Sequence, residues 1–205
     1  MKAILLLLTL SFSVFALSIN DSLLKVHATL VPKIYLMDYK FKDKIHNNTI
    51  SIAILYQQKE YRSAKKLKKL IESKYKDGLN SYKVEAKLVN YSNTNLAEAN
   101  VYYLFPAKKS NIKKAIRRAS IDNSLTFAYQ KEDLQYGVMI SVDISKRIKP
   151  LLNLEAISMN NITLRPVLIK ISTIYIMDLD SRLKNLDIRG FYLFLPMYLA
   201  QVTIV

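Results

Sequence analysis

The chain has no cysteine, no tryptophan, three glycines, two histidines, and 16 acidic residues against 31 basic ones in 205. Without cysteine, disulfides, thiolate metal sites, iron–sulfur clusters and cysteine nucleophiles are all excluded. The glycines, at 78, 137 and 190, form no cluster, so neither a dinucleotide fingerprint nor a phosphate loop can be built. His27 and His46 stand apart with no ligand spacing around either, and a zinc site would lack its usual three or four donors. A serine triad can draw its members from anywhere in a chain, but no nucleophile elbow supports one here. Asp38, Asp43, Glu60 and Glu72 lie in lysine-rich surroundings and read as surface ion pairs, and Lys131-Glu132-Asp133 reads as a turn. The expectation is a protein without catalytic residues, metal or cofactor. An enzyme is the weaker reading.

What is present is a core. Hydrophobic residues make up 51% of the chain, far above the level of a disordered segment. The first residues read as an address: Met1-Lys2 is a short positive start, residues 3–10 are apolar apart from Thr9, and Val14 and Ala16 occupy the −3 and −1 positions of a cleavage site. This is the layout of a secretory signal peptide cleaved after Ala16, too short to span a bilayer comfortably. A composition rich in Lys, Ile and Asn suggests a bacterium, hence the periplasm. There DNA and RNA are not partners, and the formal charge of +15 points instead to an acidic protein or an anionic lipid surface.

Hydrophobic spacing predicts a helix over 23–41, with a kink or break at Pro32. Residues 49–56 are short, β-branched and apolar, and read as a buried strand. A helical period returns over 60–75, with Lys65, Lys66, Lys68 and Lys69 opposite the apolar face. Strands follow at 82–89 and 100–105, then a helix over 111–120 capped by Ser110. Further strands are expected at 125–129 and 138–143, joined by the polar stretch 130–137, with a short one at 150–157. Thr163 would cap a helix over 164–175, in whose first turn Pro166 is tolerated. Helices alternating with strands early, then neighbouring strands, give a single α/β domain with a mixed sheet flanked by helices, preceded by the signal peptide.

Two stretches present candidate surface chemistry. The basic face of the 111–120 helix carries Lys113, Lys114, Arg117 and Arg118, and could join Lys65 to Lys69 in one positive flank. The end of the first helix offers Lys33, Tyr35, Asp38 and Tyr39. Charge runs most often serve solubility, but these eight are the candidates for a partner interface. The 14 tyrosines suit a core with some left for an interface. A small-molecule binding or sensing domain is the alternative reading.

The clearest motifs are Leu125-Thr-Phe-Ala-Tyr, Gly137-Val-Met-Ile-Ser-Val, Leu152-Asn-Leu-Glu-Ala156 and Leu164-Arg-Pro-Val-Leu-Ile-Lys-Ile171, preceded by Ala28-Thr-Leu-Val-Pro-Lys-Ile-Tyr-Leu-Met-Asp-Tyr39. From about residue 24 to 175 their order resembles the YfiR-like family of small exported bacterial domains. Where that family's first helix usually ends in an aromatic and a Trp-Pro pair, Asp38-Tyr39-Lys40-Phe41 stands here. The resemblance implies a periplasmic regulator that tends to dimerise and binds an inner-membrane signalling protein, a diguanylate cyclase or a sensor kinase. It thereby connects to cyclic di-GMP and biofilm formation. Some members sense redox state through cysteines, a device this chain lacks. The division expected is a signal peptide at 1–16, the YfiR-like domain at 17–175, and an atypical apolar tail at 176–205. The uncharged run from Gly190 to Val205 falls short of the roughly 20 residues a span needs. It reads as a membrane-associating hairpin, an extra strand, or most readily the product of a shifted reading frame.

Overall fold

The computed structural model describes residues 19–93, 98–144 and 147–176. The expected signal peptide and nearly all of the tail lie outside these residues. Helix α1 (Asp21–Tyr35) opens where Asn20 accepts hydrogen bonds from the backbone N–H groups of Ser22 and Leu23, at 2.8 and 3.1 Å. That satisfies donors the first helical turn would otherwise leave free. Pro32 falls inside the helix, which ends three residues later, well short of the predicted 41. Residues Phe41–Lys44 instead form a single 3₁₀ turn.

Strand β1 (Thr49–Tyr56) leads through a short 3₁₀ turn into α2 (Tyr61–Lys74), and β2 (Lys83–Asn90) and β3 (Val101–Leu104) follow. Gly78, after α2, has φ of +85°, and a Cβ there would lie 2.7 Å from the Tyr82 carbonyl oxygen, so only glycine fits. Helix α3 (Lys109–Ile121) precedes β4 (Leu125–Ala128), and the polar connection after it is a 3₁₀ helix, Lys131–Tyr136. Strands β5 (Ile140–Asp143) and β6 (Lys149–Leu152) then pair antiparallel.

The region after β6 differs from the expectation. Asn153, read as part of a strand, caps a short helix α4 (Leu154–Ser158), its side chain accepting from the Ala156 N–H at 3.0 Å and donating to the Leu134 carbonyl at 3.0 Å. Helix α5 is only Pro166–Ile171, with Arg165 rather than Thr163 before it, and β7 (Thr173–Ile174) closes the described chain. Pro166 sits at its start, where a missing N–H costs nothing.

The seven strands form one mixed sheet in the order β2-β1-β3-β4-β5-β6-β7. The first five are mutually parallel, β6 runs against β5, and β7 is parallel to β6. The expected single α/β domain with helices flanking a mixed sheet is what the chain forms. Alternate residues of each strand enter two cores. Ile50, Ile52, Ile54, Val101, Tyr103 and Phe127 pack with α1 and α2. Ala53, Leu55, Tyr102, Leu104 and Ala128 pack with Ile112, Ala115 and Ala119 of α3. Burial on both faces explains why β1, β3 and β4 are apolar without alternation.

Candidate interaction surfaces

The two-faced sheet separates the lysine-rich helices. Helix α2 lies on the α1 side and α3 on the other, so Lys65 to Lys69 and the α3 cations cannot form the single flank expected of them. On α3 the four candidates divide. Arg118 binds the Asp122 carboxylate through two nitrogens, at 3.0 and 2.9 Å, and Tyr102 donates its hydroxyl proton to the same carboxylate. Lys114 donates to the Asn93 carbonyl at 3.0 Å. Both therefore hold the helix in place. Lys113 and Arg117 have no partner among the described residues, and Arg117 is exposed.

The second candidate stretch divides in the same way. Tyr35 is 2% exposed, donating its hydroxyl to the Phe41 carbonyl at 3.2 Å, and burial holds its pKa well above the usual phenol value, reinforced by Asp38. Asp38 is also 2% exposed. Its carboxylate takes an ion pair from Lys44 at 2.7 Å and accepts from the backbone N–H groups of Lys40 and Thr163, each at 3.1 Å. Both side chains are buried and engaged inside the fold, whereas surface positions were expected. The local sequence hid this, because Thr163 is 125 positions away. Lys33 is exposed, and Tyr39 is 58% exposed with the Arg165 guanidinium 5.6 Å from its ring centre. Lys33, Tyr39 and Arg165 are what this end of α1 offers outward. Sequence reasoning missed Arg165, whose nearness to Tyr39 follows only from the Tyr39 N–H bonding to the Thr163 carbonyl at 2.8 Å.

Two further polar groups are buried where surface residues were expected. Glu60 is 6% and Asp133 1% exposed, and each leaves one carboxylate oxygen without a hydrogen-bond partner among the described residues. Lys59 lies 3.3 Å from the other Glu60 oxygen, and Gln130 donates to the other Asp133 oxygen at 3.0 Å. Burial raises the Tyr91 hydroxyl well above its ordinary pKa, with Asp133 and Glu60 adding to the shift. That hydroxyl donates to the Phe105 carbonyl at 3.0 Å. Doubly wound sheets receive ligands beyond the carboxyl ends of strands, where the strand order reverses, here between β1 and β3. In this chain Phe105 and Tyr91 pack into that position, both buried.

His27 is fully buried, its Nδ1 2.6 Å from the Tyr103 hydroxyl and its ring edge-on to Tyr103, Phe127 and Tyr129. Burial lowers its pKa to about 3, so it is neutral at any ordinary pH. It is a core histidine with no path to a substrate. His46 is exposed, 3.7 Å from Glu98. Among the described residues no group of three or more His, Cys, Asp or Glu could hold a metal ion, and no helix is long and apolar enough to cross a membrane.

Among the described residues His27, Tyr35 and Asp38 are engaged inside the fold, while Lys33, Tyr39 and Arg117 are exposed. A family model described as YfiR/HmsC-like matches residues 41–173, from the 3₁₀ turn after α1 to the start of β7. The chain belongs to the YfiR/HmsC-like family, a family of periplasmic regulatory proteins that act through protein contacts. Among solved structures it is similar to a conserved domain protein from Vibrio cholerae O1 biovar El Tor, with a TM-score of 0.52 and 16% identity over 74% of this chain and 59% of that one. At that identity the likeness concerns the fold alone. A second similar structure, the ABC domain in complex with L-Trp from Streptococcus pneumoniae, has a TM-score of 0.45, too low to carry an argument, and 12% identity over 70% of this chain and 60% of that one. The chain thus spans about three fifths of the length of each. No curated protein matches.

Proposed function

We propose that the chain is exported to the periplasm and regulates, without catalysis, an inner-membrane signalling protein by binding its periplasmic part. A diguanylate cyclase or a sensor kinase is the partner that suits the reading, with cyclic di-GMP and biofilm formation as the output. The observation that carries it is the family match over 41–173, which takes in nearly the whole sheet. The surface chemistry supports it. Lys113 and Arg117 on one side of the sheet and Lys33 on the other are cations without internal partners among the described residues, and Tyr39 is 58% exposed beside Arg165, a set suited to an acidic partner surface. The working unit is residues 17–175, after removal of 1–16; residues 176–205 are additional to it. A homodimer and peripheral contact with the membrane are compatible with the same surfaces.

The test is deletion of the gene together with crosslinking in intact cells. The expected result is altered cyclic di-GMP and biofilm, with a membrane protein captured by the wild-type chain and less efficiently by Lys113→Glu/Arg117→Glu or Tyr39→Ala. Unchanged cyclic di-GMP and biofilm, with no membrane partner recovered, would sink the proposal.

A further inference from the structure

A groove of about 680 Å³ runs between α1 and α5, with the buried Ile34 and Leu168 in its lining. Leu30 of α1 and Met37 just beyond its end form one wall, Val167 and Ile171 of α5 the other, and Pro150 of β6 lies between. Val167 and Ile171 are each 55% exposed, and Ile148 beside them is 57% exposed. A cluster of half-uncovered aliphatic side chains is a surface awaiting an apolar occupant. The volume is in the range of clefts that hold small molecules.

Shape and charge narrow the occupant further. From Lys25 to the helix end at Tyr35 the α1 wall is about 15 Å long at 1.5 Å per residue, so the groove is elongated. Lys25 and Lys33 stand on its rim, two turns apart on one face, and no carboxylate lines it among the described residues. The Thr29 hydroxyl is already committed to the Lys25 carbonyl at 3.1 Å, which leaves the two ammonium groups as the free polar chemistry of the site. Long lysine side chains lay their methylenes along apolar surface and keep the charge at the edge. An apolar rod with one anionic end satisfies every part of this arrangement. A bilayer face does not, because the apolar atoms line a concavity rather than a ridge.

We propose that the groove between α1, α5 and β6 binds a long-chain carboxylate as a monomer from water. Its hydrocarbon lies against Leu30, Met37, Val167 and Ile171, and its carboxylate lies at the Lys25/Lys33 rim. The inference goes beyond the regulatory reading and needs no partner protein, so the failure of either leaves the other standing.

Isothermal titration of the full chain with sodium dodecanoate, below its micelle concentration, tests it. 1-Dodecanol, dodecyltrimethylammonium and vesicles of phosphatidylglycerol serve as controls. Expected is one dodecanoate per chain, bound at least about tenfold more tightly than the alcohol or the cation. Lys25→Glu/Lys33→Glu should weaken binding by a similar factor, and Val167→Arg should abolish it. Both variants alter exposed side chains, and unchanged melting temperatures without ligand will confirm that they fold. Absence of binding overturns the proposal, as do equal affinity for the cationic amphiphile, indifference to Val167→Arg, or association with vesicles alone. A photo-crosslinker at Val167 that joins the chain's own residues 190–205, with dodecanoate excluded, also overturns it.

Discussion

Replacing Asp133 by Asn should stabilise the protein, and more so as the pH rises. Asp133 is 1% exposed, with Oδ1 accepting from Gln130 and Oδ2 unpartnered. Burial lifts its pKa from the ordinary 3.8 to about 6, against the opposing Gln130 hydrogen bond and with a small addition from Glu132. A folded pKa above the unfolded one means that the native state holds the proton more tightly. The group is therefore harmless below pH 3.8 and costs stability as pH rises through 6. At about 1.4 kcal/mol per pKa unit, the cost is small below pH 3.8, grows between there and pH 6, and levels off at roughly 3 kcal/mol above it. Asn keeps the shape and the acceptor facing Gln130 and has no charge to desolvate, but its amide N–H groups take the unpartnered Oδ2 position, a cost of about 1–3 kcal/mol that does not vary with pH. Urea unfolding of parent and variant at several pH values between 4 and 8 measures the difference, and subtraction cancels every other titrating group, His27 included. At pH 8 removal of the charge alone corresponds to a rise in melting temperature of roughly 6–12 °C, reduced by the unpaired amide. A gap that does not widen in the variant's favour as pH rises from 4 to 8 refutes the reasoning.

His27 should act in the opposite sense. Its pKa is lowered by burial, so its contribution is complete above the unfolded value of 6.5 and is lost as pH falls toward about 3. His27→Leu should flatten the acid side of the stability profile, at a cost of about 1–3 kcal/mol near neutrality for orphaning the Tyr103 hydroxyl. Asp38→Ala should cost about 3–5 kcal/mol in urea unfolding, because it leaves the Lys44 ammonium, 14% exposed, and the Thr163 N–H unpaired. By contrast, Lys113→Glu/Arg117→Glu should change stability by less than about 0.5 kcal/mol, since neither side chain is engaged internally. Any loss of partner capture by that variant is then a loss of contact rather than of fold.

Periodicity was a good guide wherever a segment's burial is decided by the layer it belongs to. The continuous apolar run at 49–56 and the alternation at 82–89 are β1 and β2, displaced by at most one residue. The helical stripes at 60–75 and 111–120 are α2 and α3. It failed after residue 149, where elements are two to six residues long and a single side chain sets their limits. Asn153 followed by Glu155 is a readable helix start, and it was overlooked because the flanking leucines suit a strand equally well. The burial at the end of α1 is illegible in the sequence for another reason. Nothing near Asp38 or Tyr35 marks them as buried, since their surroundings are completed by Lys44, Phe41 and Thr163 after the chain has folded back on itself. The basic flank on α3 was legible as a charge pattern. Which two of its four cations remain free depends on Asp122 and Asn93, and only the structure could say.

The contact between the end of α1 and residues 163–165 also bears on when the protein can become native. Tyr39 and Thr163 share a backbone hydrogen bond, Met37 receives one from Arg165, and Asp38 holds the Thr163 N–H. A ribosome adding roughly 5–20 residues per second needs roughly 6–25 s to travel from one side of this clasp to the other. During that interval Asp38 has a charge to bury and Thr163 does not yet exist. The amino-terminal half therefore waits, incompletely closed, for the carboxyl-terminal half to be made. Such a chain stays pliable for as long as it is being synthesised, the condition in which a polypeptide can still be threaded through a narrow pore.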